Sequence, residues 1–198
     1  CYLKPEQLPW YRDKSATRAL LTELGLPTPG FRKIPIAYFK DRSKKTQLKE
    51  LLEGLRYPVV SKPLDKYGSR GIYISEDLEE LINGAEKTAG FSDMPEILVE
   101  EYNDGYEFNM MTWVRHGKVH VISIADREKT FVAKGEIPIS TRNVYPSRLL
   151  SKVEKPATEL LQHMRTEPAR KTEPFHAVFL EAGRRYPGLR DRCTIFWI

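Results

Sequence analysis

Lys62 closes a short apolar run, Tyr57 to Lys62 (YPVVSK), and a loop carrying Gly68, Ser69, Arg70 and Gly71 follows it. A cation at the end of a buried strand beside a glycine-flanked loop is what holding a polyphosphate requires. The ammonium supplies a point charge from a rigid support, while glycines let backbone N–H groups approach phosphate oxygens with no Cβ in the way. A basic β-turn next to a core strand uses the same residue types, so the neighbouring segments have to decide. Lys14, in the first turn of an expected helix, is a further cation near a loop. Three carboxylates, Glu100, Glu101 and Glu107, flank the turn Asn103-Asp104-Gly105. A strand-end pair of acids with a third beyond a glycine turn can meet ribose hydroxyls or an adenine amine, and it can equally form a solvated rim.

These side chains need elements to hold them. Residues 1 to 12 are Pro-rich and read as a connecting segment. Asp13 is placed to cap a helix from Lys14 to about Leu24 that aligns Ala16, Leu20 and Leu24; Gly25 stops it, and Pro27 and Pro29 forbid a restart. Residues 31 to 40 predict a strand, and Lys44 to Leu55 a helix with Leu48, Leu51, Leu52 and Leu55 inward. Beyond the basic loop, Ile72 to Ile74 predicts a strand, and Ser75, Glu76 and Asp77 open a helix whose Leu78, Leu81, Ile82 and Ala85 face the core. Ile97 to Tyr102 predicts the next strand. Glu107 to Arg115 then pairs through His116-Gly117 with Lys118 to Asp126, with Phe108, Met110, Val114, Val119 and Val121 as the apolar sides of the hairpin. The order is not that of a Walker loop, because Gly-Lys-Thr/Ser is absent and a strand rather than a helix follows the glycines; nor does G-x-G-x-x-G occur.

The bulk numbers exclude several classes. With 198 residues, 40% hydrophobic and 30% charged, the chain is of ordinary globular composition and long enough to bury a core. No apolar run reaches about 18 residues and no signal-peptide pattern opens the chain, so the expectation is a cytoplasmic protein without a membrane partner. Cys1 and Cys193 are too few for a disulfide framework or a zinc site. Of the net charge of +5, residues 163 to 198 hold +3, from seven Arg or Lys against four acids. No aromatic and basic interleaving marks a nucleic-acid platform, so no nucleic-acid partner is expected; binding through the basic tail is the distant rival.

In order and spacing, DKSATRALLTELGLPTP, YPVVSKP, GSRGI and ILVEEYNDGYEF resemble the ATP-grasp superfamily over about Asp13 to Leu161. The resemblance implies an α+β fold of two antiparallel-sheet lobes with nucleotide between them, here 13–95 and 96–162. It implies ATP and Mg²⁺ as cofactors, and small carboxylate and amine-type substrates joined through an acyl phosphate, as in carbamoyl-phosphate synthetase-like ligases. Lys14 resembles the first nucleotide-binding cation and Lys62 the one that reaches the phosphates. Gly68, Ser69, Arg70 and Gly71 match the loop that closes over them; Glu100 and Glu101 fall where adenine is read, and Glu107 where the ribose is held. Arg127 and Arg142 lie in the stretch Asp126 to Ser147, where acceptor-side residues are placed, and either could grip a substrate carboxylate or pair with a nearby acid.

The segment 163–198 departs from the family. Its irregular Arg and Pro stand where an apolar strand and a glutamate-bearing strand should hold magnesium, and Glu181 substitutes poorly, so the metal ligands are unknown. Codon degeneracy lets the same DNA, read one nucleotide later, spell a strand, a glycine turn and a glutamate-bearing strand. A frameshift between about Leu161 and Phe175 is the expected cause, and the Cys start suggests that an upstream domain is missing. Nucleotide binding without catalysis is the alternative to a working ligase.

Overall fold

The computed structural model describes residues 12–23, 25, 28–66, 68–103, 105–115, 118–130, 139–166, 178–182 and 193–197. The expected connecting segment up to residue 11 and the hairpin turn at His116-Gly117 lie outside them. Asp13 caps the first helix as its sequence requires: Oδ1 accepts from Ser15 N at 2.8 Å and from Ser15 Oγ at 2.6 Å. Helix α1 runs Lys14–Glu23 and buries Leu20 and Leu21.

Strand β1 is Phe31–Pro35, shorter than expected: Ile36 N–H still donates to Pro95 O at 2.9 Å, and the chain then turns into α2, Ala37–Lys40. A 3-10 turn, Arg42–Lys44, leads to α3, Lys45–Leu51. This helix also stops early. Gly54, with a φ of 83°, turns the chain out of it, and Arg32 on β1 donates to Leu51 O at 3.1 Å and to Glu53 O, past the helix, at 2.7 Å. Leu48 and Leu52 are buried as the spacing predicts, but Leu51 is 38% exposed, so the expected four-leucine face is really Leu48, Leu52 and the post-helical Leu55.

Strand β2, Val59–Pro63, is followed by the loop and β3, Tyr73–Ser75. The next helix, α4, is Leu78–Ala89, and its cap is Asp77, whose Oδ1 accepts from Glu80 N at 2.9 Å. Strand β4, Glu96–Glu101, completes a four-stranded antiparallel sheet of order β1-β4-β2-β3. Ile34, Val59, Ile97 and Val99 share one face of this sheet and bury against Phe39, Leu48, Leu81, Ile82 and Ala85 from α2, α3 and α4.

The second sheet contains β5, Tyr106–Arg115; β6, Lys118–Thr130; β7, Ile139–Val144; β8, Val178–Ala182; and β9, Cys193–Trp197. Its order is β7-β6-β5-β8-β9, antiparallel throughout. Helix α5, Leu150–Thr166, packs on β6, and the buried side chains Phe108, Met110, Ile124 and Val153 form the core there. Of the expected hairpin side chains, Val121 is half-buried and those of Val114 and Val119 lie outside the described residues. Two strands from the segment beyond residue 162 therefore enter this sheet, where sequence reasoning had found no clean periodicity. No helix among the described residues is long and apolar enough to cross a membrane.

Candidate functional site

Strand parity decides which side chains meet. On the first sheet Val60 stands opposite Glu100 and Lys62 opposite Leu98, so Lys62 and Glu100 lie on the same face, diagonal to each other and away from the aliphatic core. Helix α1 covers that face with Arg18. Its Nε donates to Glu100 Oε2 at 2.8 Å and its Nη2 to Glu100 Oε1 at 3.1 Å, while Lys62 Nζ donates to the same Oε1. Arg18, Lys62 and Glu100 are 3%, 4% and 2% exposed. Burial alone would raise the Glu100 carboxyl, but the Arg18 and Lys62 charges overcome it and hold the group down at about 2. Glu100 thus gathers two cations from different elements, one of them on the strand that leads into the loop.

Lys14, the other expected cation, lies close to Lys62. Its Nζ donates to Pro63 O at 3.0 Å, Leu64 O at 3.3 Å and Lys66 O, so the ammonium braces the turn between β2 and the loop. Burial and the neighbouring Lys62 charge lower its pKa to about 8, against the raising influence of Asp65, Glu100 and Asp13. Arg18 is the cation that sequence reasoning missed. The signal was present, because Arg18 is one helical turn beyond Lys14 and so shares its face.

The loop itself has the backbone that its glycines foretell. Gly68, Ser69 and Gly71 have φ of 72°, 58° and 70°, in the left-handed region. Gly68, Ser69 and Arg70 are exposed, whereas Gly71 is buried under Phe91: a Cβ added at Gly71 would lie 2.8 Å from the Phe91 side chain.

The three carboxylates do not converge. Glu101 faces away from Glu100 and takes Arg56, with Nε on Oε1 at 3.1 Å and Nη2 on Oε2 at 3.0 Å. Its own N–H donates to Gly30 O at 2.9 Å, and Tyr102 N–H donates to Pro58 O at 2.9 Å, which fixes the segment leading out of the first sheet. Glu107 belongs to the second sheet and receives Arg127 Nη1 from β6. The register extends this pair into one row: Arg127 stands opposite Asn143 on β7, and Glu107 opposite Glu181 on β8. Arg142 is apart from it, its Nε on Glu128 Oε2 at 2.6 Å and its side chain 69% exposed. Asp126, on the other face, ties β6 to the start of α5 through Ser147 Oγ at 2.5 Å and Arg148 Nε at 2.6 Å.

Comparison with known proteins fits this arrangement. The ATP-grasp domain family profile matches residues 55–185. A cyanophycin synthetase from Synechocystis sp. is 35% identical over 117 residues, covering 58% of this chain and 12% of that protein. The N-terminal section of a carbamoyl phosphate synthase large chain from Methanopyrus kandleri is 28% identical over 116 residues, covering 59% of this chain and 19% of that one. Among solved structures, VanG D-Ala:D-Ser ligase from Enterococcus faecalis superposes with a TM-score of 0.70 at 20% identity, over 87% of this chain and 49% of that one, a likeness of fold. The chain thus spans about half of this solved ligase and a fifth or less of these two curated relatives.

Proposed function

The chain belongs to the ATP-grasp family, and on that premise we propose that it is the nucleotide-binding portion of an ATP-dependent carboxylate–amine ligase. The observation that carries the reading is the buried Arg18–Glu100–Lys62 cluster beside the left-handed loop Gly68–Gly71. Glu100 keeps two cations desolvated and aimed while no phosphate is present. A polyphosphate arriving under the loop then meets positive charge that needs no reorganisation from water. The loop's exposed backbone can close over it and exclude water from a reactive intermediate. In the reaction proposed, a substrate carboxylate oxygen attacks the γ-phosphorus and ADP leaves. An amine then attacks the acyl carbon, and inorganic phosphate departs with the electron pair of the C–O bond. The row of Glu107 and Arg127 is proposed to hold the ribose and the acceptor side, with Glu101 and the backbone around Tyr102 at the adenine. Arg142, paired with Glu128 and largely exposed, has less support as a substrate ligand.

Magnesium commonly travels with ATP phosphates and needs few protein ligands. Among the described residues no three His, Cys, Asp or Glu side chains gather as a metal cage, which agrees with a magnesium ion carried mainly by the nucleotide's own phosphates. The second reading is nucleotide binding without turnover, in which Arg18, Lys62 and the loop hold the phosphates and no acceptor reacts.

The test is thermal unfolding with and without millimolar ATP and magnesium. At 100 times Kd a ligand adds about 2.7 kcal/mol of stability, which raises Tm by several degrees in a chain of this size. Lys62→Ala is expected to lose most of the ATP-dependent increment, whatever it does to the starting Tm. No shift in the unsubstituted protein would remove the nucleotide site; a shift without phosphate release, across candidate acids and amines, would leave the second reading.

A further inference from the structure

Thr88 lies near the end of α4, a place where a helical threonine ordinarily returns its hydroxyl to the carbonyl one turn back. Here Thr88 Oγ1 donates instead to Gly71 O, 2.9 Å away across 17 residues of chain. Thr88 Oγ1 also lies 3.0 Å from Ser61 Oγ. A hydroxyl has one proton, and that of Thr88 is spent on Gly71, so Ser61 is the donor of the second bond. The result is a buried relay from Ser61 through Thr88 to the loop, with Ser61 and Thr88 both 0% exposed. Ser61 immediately precedes Lys62 on β2, and Phe91, just past α4, covers Gly71 on its other side.

We propose that Thr88 is a positioning residue that, with Ser61, pins Gly71 as the fixed end of the phosphate loop and keeps it in register with Lys62. The inference rests on the nucleotide-binding reading for its purpose, but the latch itself is a property of the chain without nucleotide. Gly68, Ser69 and Arg70 are exposed, and no atom lies within 4 Å of a Cβ built at Gly68. Gly71 is buried and held by a hydrogen bond to a side chain of a rigid helix. Through Ser61 the pin is tied to the strand that carries Lys62, so the end of the loop and the cation are held to one frame.

The bond Arg70–Gly71 offers a direct probe, because trypsin cuts after arginine only when the residues on both sides of the bond leave their seats. In the nucleotide-free chain, Thr88→Val is expected to speed cleavage at Arg70–Gly71 about fivefold to tenfold, the factor that one buried hydrogen bond contributes to a local opening equilibrium. Thr88→Ser, which keeps the hydroxyl, should cut at the wild-type rate, and Ser61→Ala should fall between. Leu81→Ala, which opens the apolar core under the same helix without touching the relay, serves as the control for general loosening and should raise cleavage at all sites together. The proposal is overturned if Thr88→Val cuts at Arg70–Gly71 no faster than wild type, or if its extra cleavage is spread along the chain as in Leu81→Ala. Should Thr88→Val fail to fold, Ser61→Ala decides by the same two criteria. Millimolar ATP with magnesium should slow this cleavage in the wild type and slow it less in Thr88→Val. Failure of ATP to protect the wild type would count against the nucleotide reading alone, since the latch is judged by the nucleotide-free rates.

Discussion

Glu100 is the residue on which the site's electrostatics turn. Buried carboxylates are tolerated only when paired, and removing one partner of a buried ion cluster typically costs about 3–5 kcal/mol because the remaining charges are left uncompensated. Glu100→Gln strands Arg18 and Lys62 in this way and is expected to destabilise the protein by that amount at neutral pH, measured by urea unfolding. The pH dependence has a definite sign. Folding lowers the Glu100 pKa from its ordinary 4.5 to about 2, so the folded chain binds the proton less well than the unfolded one. The stability this group contributes is complete above 4.5 and drains away as pH falls from 4.5 to about 2. Glu100→Gln should therefore flatten the acid limb of the stability curve in that window; an unchanged acid limb would show that the cluster is not what the wild type loses there. Lys62 was legible in the sequence as a strand-end cation. Its partner Arg18 was not given that part, since helix periodicity names a face without saying which strand face it covers.

At the scale of the element, the loop is where the local sequence speaks most clearly. Gly68 and Gly71 both have left-handed backbone, which a side chain adopts at a cost of about 1–2 kcal/mol. They differ in surroundings: a Cβ at Gly68 meets nothing within 4 Å, while one at Gly71 overlaps Phe91 at 2.8 Å. Gly71→Ala should accordingly lower stability by clearly more than Gly68→Ala, about 2–4 kcal/mol against about 1 kcal/mol, in paired urea titrations. Equal losses would mean that Phe91 moves aside freely and that the loop end is not seated. Glycine spacing predicted the turn, but the burial of one glycine and the exposure of the other depend on α4 and on residues that follow it. The short α3 teaches the same thing from the other side. Its leucine spacing suited a longer helix, but Gly54 turns the chain out at a φ of 83°, and Arg32 on β1 takes the carbonyls of Leu51 and Glu53 that are left over.

For the whole molecule, the second sheet depends on residues remote in sequence. Strand β5 has β6 on one side and β8 on the other, with Tyr106 to Met110 opposite Val178 to Ala182. A chain ended after Thr166 loses β8 and β9 and leaves β5 as a bare edge, which invites pairing with a second chain. Such a chain is expected to elute as dimers or larger species in size-exclusion chromatography and to unfold at lower temperature. A monomer with the wild-type Tm would mean that the last two strands add nothing. This bears on the expectation that the segment 163–198 stands outside the family pattern: two pieces of it take strand positions in the sheet, and Glu181 is set opposite Glu107.

What the sequence determined by itself is whatever short-range chemistry dictates. Asp13 capping its helix, Val59 and Val60 forming a strand, glycines taking left-handed turns and the order of Lys62, loop and acidic turn all follow from a few neighbouring residues, and that order was enough to indicate the ATP-grasp fold. Only the tertiary structure decided how the charges are shared. Lys14 went to backbone carbonyls, Arg18 and Lys62 to Glu100, Arg56 to Glu101 and Arg127 to Glu107. The physical reason is that an ion pair depends on distance and burial between elements, and strand register and helix placement set both from contacts tens of residues apart.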